Sequence, residues 1–185
     1  MQQTEYPKDG EVKIGVRLTR PEKFELRLRI PSWSARTRVA VNGAAQAAST
    51  GTYLVLDREW TNGDRIEISF DMSFHFWAGE REQDAKTSVY RGPLLLAFDA
   101  LDNDADIDKL PELDGAHMQG IAESAERLFK PWVLLKFAGA NAQSVRLRDF
   151  ATAGAYGTHY KTWLPVRHVK PVGYDRRRPV WTNRP

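Results

Sequence analysis

The chain has 185 residues, of which 42% are hydrophobic and 28% charged, a balance typical of a globular protein with a buried core. It contains no cysteine, which excludes disulfide bonds, thiolate metal sites and cysteine nucleophiles within these residues. The longest apolar run, Pro93 to Phe98, is too short to cross a bilayer, and the N-terminal segment lacks the layout of a signal peptide. We therefore expect no membrane partner and no cofactor, and the sequence assigns no compartment.

Alternating apolar and polar residues dominate the first part of the chain. The alternation runs from Val12 to Leu18, from Phe24 to Ile30 and from Ile66 to Phe70. Because side chains alternate across a strand, each segment offers one buried and one solvated face, as in an antiparallel sheet.

Turn residues separate these strands. Asn42-Gly43 and Asn62-Gly63-Asp64 tolerate the positive φ that tight hairpins require, so we predict a hairpin at each. Pro21 and Pro31 end strands because proline cannot donate to a central ladder. Closely spaced strands without intervening helices predict an all-β fold, an antiparallel β-sandwich of jelly-roll-like type with little helix.

The pattern loosens after Phe98. A short helix is predicted at Ala122–Leu128, and strands resume at Trp132–Phe137, Val145–Phe150 and Tyr160–Val166. We assign residues 1–166 to the β-sandwich region, with any subdivision near 99–130, and residues 167–185 to a basic extended tail. No nucleic-acid-binding motif accompanies this tail, so no nucleic-acid partner is expected.

Charged residues give no catalytic or metal site. Residues 102–108 carry four aspartates, but Ile107 and Leu113 stand where an EF-hand requires Gly and Glu. A solvated acidic loop is the favoured interpretation, and a calcium site of another type stays open. The four histidines lack metal-ligand spacing, and no two carboxylates are marked as facing a cleft.

Aromatic residues are the best candidates for a binding surface. Trp33 and Trp60 are expected at the core, whereas Phe74-His75-Phe76-Trp77 must turn one aromatic face outward in any strand register. Flat rings stack on the apolar faces of sugars, and this makes four residues carbohydrate-binding candidates. These are Trp77, Tyr156, Tyr160 and Trp163. Packing in the core or against another domain is the favoured alternative for the same residues.

Several short motifs follow one another in a characteristic order. They are Arg29-Ile30-Pro31-Ser32-Trp33, Val41-Asn42-Gly43, Arg58-Glu59-Trp60-Thr61-Asn62-Gly63-Asp64, Arg91-Gly92-Pro93-Leu94, Asp149-Phe150-Ala151 and Trp163-Leu164-Pro165. Their order and spacing, from about Thr4 to Val166, resemble the C-terminal part of glycoside hydrolase family 127, the β-L-arabinofuranosidase-like proteins.

The resemblance implies a β-sandwich part that packs against a helical α/α-barrel. In that family a cysteine-rich zinc site with a cysteine nucleophile lies upstream, so no catalytic position carries over to this sequence. We therefore expect a non-catalytic accessory region of a parent glycoside hydrolase, with the barrel as its partner and self-association into a homo-oligomer. The parent is expected in the periplasm or outside the cell. The alternative is an autonomous carbohydrate-binding module with a plant-type oligosaccharide as ligand.

Overall fold

The structure is a computed structural model that describes residues 1–139 and 143–169. Within these ranges the regular structure is β-strand apart from 3-10 turns at Arg81–Gln83, Gly115–His117 and Phe150–Thr152, which confirms the predicted all-β fold with little helix. The chain divides into two compact units, unit 1 at Met1–Ser73 and unit 2 from Phe74 onward. Each unit has its own hydrophobic core. The division therefore falls before the 99–130 segment.

Unit 1 is built from seven strands in two antiparallel sheets. The strands are β1 (Gln2–Thr4), β2 (Glu11–Gly15), β3 (Glu22–Ile30), β4 (Arg38–Val41), β5 (Ala44–Gln46), β6 (Thr52–Trp60) and β7 (Arg65–Ser69). One sheet has the order β1-β2-β7-β4-β5, and the other is the β3–β6 pair. Both sheets contribute to one core, Val12 and Ile66 from the first and Ile30 and Trp60 from the second, so unit 1 is a small sandwich.

The predicted alternation and one predicted hairpin are confirmed in unit 1. Ile66 is fully buried and Val12 is 6% exposed, whereas Lys13 between the core positions of β2 is exposed. Asn42 and Gly43 join β4 to β5 with φ of 50° and 82°, and Val41 pairs directly with Ala44. Positive φ at both turn positions matches the right-handed twist of the flanking strands.

The second Asn-Gly turn differs from the prediction of a hairpin. Asn62-Gly63-Asp64 connects β6 to β7, but these strands belong to different sheets, so the segment is a corner between the layers. The corner is fixed by Asp64, whose carboxylate accepts hydrogen bonds from the Thr61 amide (2.9 Å) and the Asn42 side-chain amide (2.8 Å). Since Asn42 Oδ1 accepts from the Arg65 amide (2.8 Å), the two Asn-Gly segments are held together.

Trp60 lies at the end of β6, immediately before this corner, and is fully buried. Its indole N–H donates to the Phe24 carbonyl (3.0 Å), and its ring stacks on the Phe24 ring with centroids 5.9 Å apart. This confirms Trp60 as a core residue. Trp33 is partly buried and contacts the Phe70 ring at 5.8 Å, at the border of the same core.

Unit 2 contains a larger antiparallel sheet. Its strands are β8 (Phe74–Ala78), β9 (Thr87–Arg91), β10 (Leu94–Asp99), β11 (Leu113–Asp114), β12 (Ile121–Ala122), β13 (Leu134–Ala138), β14 (Ser144–Asp149), β15 (Tyr160–Lys161), β16 (Trp163–Leu164) and β17 (Val166–Arg167). The main sheet has the order β12-β13-β14-β10-β9-β16, with β8 also paired to β9 and β15 to β10. β11 and β17 form a separate parallel pair.

The core of unit 2 lies against one face of this sheet. Val89, Leu96, Phe98 and Leu147 are fully buried there. The other side of the main sheet is called the outer face below. Residues directly paired across strands share a face, so the strand register assigns the side of each remaining residue.

The predicted helix at Ala122–Leu128 is wrong. Ile121 and Ala122 form β12 against β13, and the Glu123 amide donates to the Leu134 carbonyl at 2.9 Å. The Glu123 carboxylate also contacts Arg146 Nε at 2.6 Å. These contacts with the sheet keep the segment extended, because tertiary contacts override a weak helix propensity.

Two further points concern membrane-spanning helices and the C-terminal residues. Among the described residues, no helix is long and apolar enough to span a membrane. The predicted basic tail at 167–185 lies outside the described residues from position 170 onward, and Arg167 ends β17.

Candidate functional site

The first aromatic surface lies on the outer face of the β8–β9–β16 portion of the sheet. Trp77 on β8 and Trp163 on β16 are both directly paired with Ser88 of β9, one from each side. The three side chains therefore form one row on one face, with the small serine between two indoles. On the same face and two residues along each strand, His75 pairs with Tyr90. Their rings stack with centroids 5.2 Å apart and an interplanar angle of 13°.

We call His75, Trp77, Tyr90 and Trp163 the outer aromatic face. All four are partly buried, and Ser88 is 5% exposed. Burial raises the pKa of the Tyr90 hydroxyl, because a phenolate is poorly solvated there. The rings of this face are therefore only partly open to solvent.

The Phe74–Trp77 run is divided between the two faces of the sheet. Phe74 and Phe76 pack against the unit 2 core, and the Phe74 ring meets the Phe137 ring edge-on at 5.5 Å. Only His75 and Trp77 of this run are left for the outer face. The two phenylalanines are thus core residues rather than parts of a docking surface.

A second and more exposed aromatic surface is formed by residues from the segments before β13 and after β14 and by the first residue of β15. Its members are large aromatic residues that are each between 41% and 52% exposed. They are Phe129, Trp132, Phe150, Tyr156 and Tyr160, called the loop aromatic cluster.

Two ring contacts organise the loop aromatic cluster. Phe129 and Tyr156 meet edge-on at 5.3 Å, and the Tyr156 hydroxyl accepts a hydrogen bond from the Phe129 amide at 2.9 Å. Phe150 and Tyr160 meet edge-on at 5.9 Å. The Tyr160 ring covers Gly154, where a Cβ would come within 2.8 Å of it, and Gly154 has φ of +70°. Glycine is therefore required at this position on both steric and conformational grounds.

A buried carboxylate anchors the loops that carry this cluster. Asp149, the last residue of β14, is fully buried and accepts hydrogen bonds from the amides of Trp132 (2.7 Å), Val133 (3.2 Å) and Thr152 (3.2 Å). It thereby caps the 3-10 turn at Phe150–Thr152 and ties Trp132 to the same point.

A buried ion-pair network lies under the same loops. Arg148 is fully buried on the outer face, and its guanidinium donates to both Asp102 oxygens at 2.6 and 3.0 Å and to the Thr152 carbonyl at 3.1 Å. Asp99, also fully buried, accepts from the Gly154 amide (2.8 Å) and the Thr158 hydroxyl (2.6 Å). These hydrogen bonds, with the nearby Arg148, hold the pKa of Asp99 below its usual range although burial alone would raise it.

One residue of the acidic loop at 102–108, Asp102, belongs to this buried network. The side chain of Asp102 is 2% exposed and also contacts Arg127 at 2.7 Å, so the solvated interpretation is wrong for this residue. Asp108 pairs with Lys161 at 2.8 Å. Within residues 1–139 and 143–169, no group of three or more His, Asp or Glu side chains is arranged to hold a metal ion.

The four candidate carbohydrate-binding residues fall into two groups. Trp77 and Trp163 come together around Ser88, whereas Tyr156 and Tyr160 belong to the loop aromatic cluster. The sequence does not reveal Phe129, Trp132 and Phe150 as exposed aromatic residues. Trp132 and Phe150 are predicted as strand ends, but the structure places both outside β13 and β14. The clearest available signal was Asp149-Phe150, an N-cap aspartate followed by an aromatic residue.

The structure thus defines an all-β chain of two units whose prominent surfaces are aromatic. Residues 1–72 match the family model described as Beta-L-arabinofuranosidase, GH127 middle domain. This confirms the resemblance to family 127, and the match lies in unit 1. A comparison with curated protein sequences gives no match.

Solved structures with a similar fold include three of low sequence identity. A glycoside hydrolase is 24% identical with a TM-score of 0.75, over 89% of this chain and 32% of that chain. A GH127 beta-L-arabinofuranosidase from Geobacillus stearothermophilus T6 is 21% identical with a TM-score of 0.76, over 90% of this chain and 30% of that chain. A GH127 beta-arabinofuranosidase is 20% identical with a TM-score of 0.73, over 89% and 31%. The chain therefore spans about a third of the length of these structures.

Proposed function

We propose that this chain is a non-catalytic β-sandwich accessory region of a family 127-like glycoside hydrolase, which packs against a catalytic barrel and supports it. The observation that carries the proposal is the match of residues 1–72 to the GH127 middle domain. The likeness to about a third of larger glycoside hydrolase chains is in agreement with it. The chain also has no cysteine, whereas the family resemblance implies a cysteine nucleophile in the barrel.

The loop aromatic cluster supports a docking role. Five aromatic residues that are each more than 40% exposed form an apolar surface on loops held by buried polar anchors. Apolar area left in water favours association, and a rigid apolar surface is suited to a permanent partner. In the absence of a barrel the same surface should drive concentration-dependent dimerisation of the isolated chain.

The test begins with the coding sequence upstream of Met1. An in-frame helical barrel there allows the chain to be compared alone and as part of the longer protein. We expect the longer protein, and not the chain alone, to release arabinose from an aryl β-L-arabinofuranoside. Trp132→Ser should lower the melting temperature of the longer protein more than that of the chain alone, since it removes an interdomain contact. Robust release of arabinose by the purified chain alone would overturn the proposal.

The second candidate function is autonomous carbohydrate binding. It is favoured by the open rings of Tyr156 (41% exposed) and Tyr160 (43% exposed) and by the paired indoles of Trp77 and Trp163. Saturable quenching of tryptophan fluorescence by a plant cell-wall oligosaccharide, lost in Trp163→Ala, would favour this second function over docking. A monomeric chain at high concentration would point in the same direction.

A further inference from the structure

Unit 2 contains a groove that neither aromatic surface uses. It has a volume of about 680 Å³ and lies beside the β11–β17 pair and β13. Met118 and Ile121 supply apolar walls, and Gln119, Gln143 and Lys136 supply polar groups. A mainly apolar concavity of this size with a few polar groups is typical of small-molecule sites.

The charges at one end of the groove are already paired. Asp114 contacts the Nδ1 atoms of His168 (3.1 Å) and His117 (3.3 Å), and a guanidinium nitrogen of Arg167 lies at 3.6 Å. The hydrogen bond from His168, with those from His117 and the Ala116 amide, lowers the pKa of Asp114 to about 2. Arg167 also lies 3.8 Å from Glu112. Glu112 and Asp114 therefore each have a basic side chain within 4 Å.

Lys136 lies on β13 and has no oppositely charged partner among the described residues. It is directly paired with Arg146 across the sheet, so two cations lie side by side on the outer face. Glu123 is bound to Arg146 at 2.6 Å, and no carboxylate in the described parts of the chain forms an ion pair with Lys136. Like charges directly opposite each other are unfavourable, and an anion near Lys136 would relieve the repulsion.

We propose that this groove binds a small hydroxylated carboxylate, chemically a uronic acid, with its carboxylate on Lys136. Gln119, Gln143 and Ser144 are exposed, and their side chains make no hydrogen bond to other described residues, so they can pair with ring hydroxyls. Ile121 is 69% exposed and directly paired with Lys136, so Ile121 and Met118 suit the apolar side of a sugar ring. The proposal does not depend on the accessory role of the chain.

The test is calorimetric or NMR titration of the whole chain with D-glucuronate, D-glucose and acetate. We expect saturable binding of glucuronate that weakens as salt is added, and binding of glucose and acetate that is about tenfold weaker or more, because each lacks one of the two recognised parts. Lys136→Gln should weaken glucuronate binding about tenfold or more, whereas Lys136→Arg should retain it. The matched control is Lys109→Gln, which removes an exposed lysine that does not line the groove.

Three results would overturn the proposal. They are the absence of saturable glucuronate binding, equal binding of glucose, and glucuronate binding that Lys136→Gln leaves unchanged. A failure here is distinguishable from a failure of the accessory role, because the titration requires no barrel and measures no arabinose release.

Discussion

Replacing Arg148 with methionine should destabilise unit 2 more than the same replacement of Arg146. The guanidinium is fully buried and donates two hydrogen bonds to Asp102 and one to the Thr152 carbonyl. Methionine keeps the apolar stem but leaves Asp102, with a side chain only 2% exposed, without its main partner. Breaking a buried ion pair by removing one partner costs roughly 3–5 kcal/mol.

The estimate for Arg148→Met lies at the lower end of this range. Asp102 keeps Arg127 at 2.7 Å, and Asp99 keeps its hydrogen bonds from Gly154 and Thr158. We therefore expect a loss of about 3 kcal/mol, which is a large part of the roughly 5–15 kcal/mol that stabilises a typical domain.

The assay for Arg148→Met is equilibrium unfolding in urea, with Arg146→Met as the matched control. Arg146 is on the same strand and its side chain is 31% exposed, so losing its pair with Glu123 should cost only about 1 kcal/mol. Adding Asp102→Leu to Arg148→Met should recover stability, because it removes the carboxylate left behind. A loss for Arg148→Met no greater than for Arg146→Met would refute this reasoning.

Three more predictions test other parts of the fold. Trp60→Ala should cost about 3–5 kcal/mol and lower the melting temperature, since it empties a fully buried site in unit 1; an unchanged melting temperature would contradict this. The hydrogen bond from Arg36, with smaller contributions from Ser73, lowers the pKa of Asp71 to about 2. The stabilisation that the ionised Asp71 gives the folded state should therefore be present above about pH 4 and be lost as the pH falls towards 2. In urea unfolding, Arg36→Gln should be less stable than wild type above about pH 4, and the two should converge as the pH approaches 2. Gly154→Ala should destabilise more than Gly157→Ala in thermal unfolding, because both positions have positive φ but only at Gly154 would a Cβ collide with a ring, that of Tyr160; equal losses would show that the ring moves away freely.

Strands β2, β3 and β7 of unit 1 were predictable because alternate side chains of each are turned towards the core. The alternating apolar residues around Val12 and Ile66 indicate which face is buried. Asn42-Gly43 predicts its hairpin because both residues tolerate the positive φ that the turn requires. The corner at Asn62-Gly63 was not predictable, since positive φ at Gly63 serves a hairpin and a change of sheet equally well. The two differ in strand pairing, because β7 pairs with β2 and β4 rather than with β6, and this pairing joins residues far apart in sequence.

The surfaces of unit 2 were predictable only as residue types. The sequence places aromatic residues at 74–77 and 156–163, but the pairing of Trp77 and Trp163 around Ser88 depends on strands far apart in sequence. Burial of Asp99, Asp102 and Arg148 was not predictable either, because charged residues are ordinarily exposed and their pairing is long-range.

The corner at Asn62-Gly63-Asp64 also constrains the order in which unit 1 can fold. Because it sends β7 to the other layer, the β3–β6 ladder from Glu22↔Trp60 to Ile30↔Thr52 is nested inside the β2–β7 ladder from Gly15↔Arg65 to Glu11↔Ser69. Closing a long loop costs entropy, and once the inner ladder is formed the outer one has only a short gap to close. The inner ladder should therefore form before the outer one. Substitutions that weaken the β3–β6 pair should slow folding, whereas substitutions that weaken the β1 edge should mainly speed unfolding.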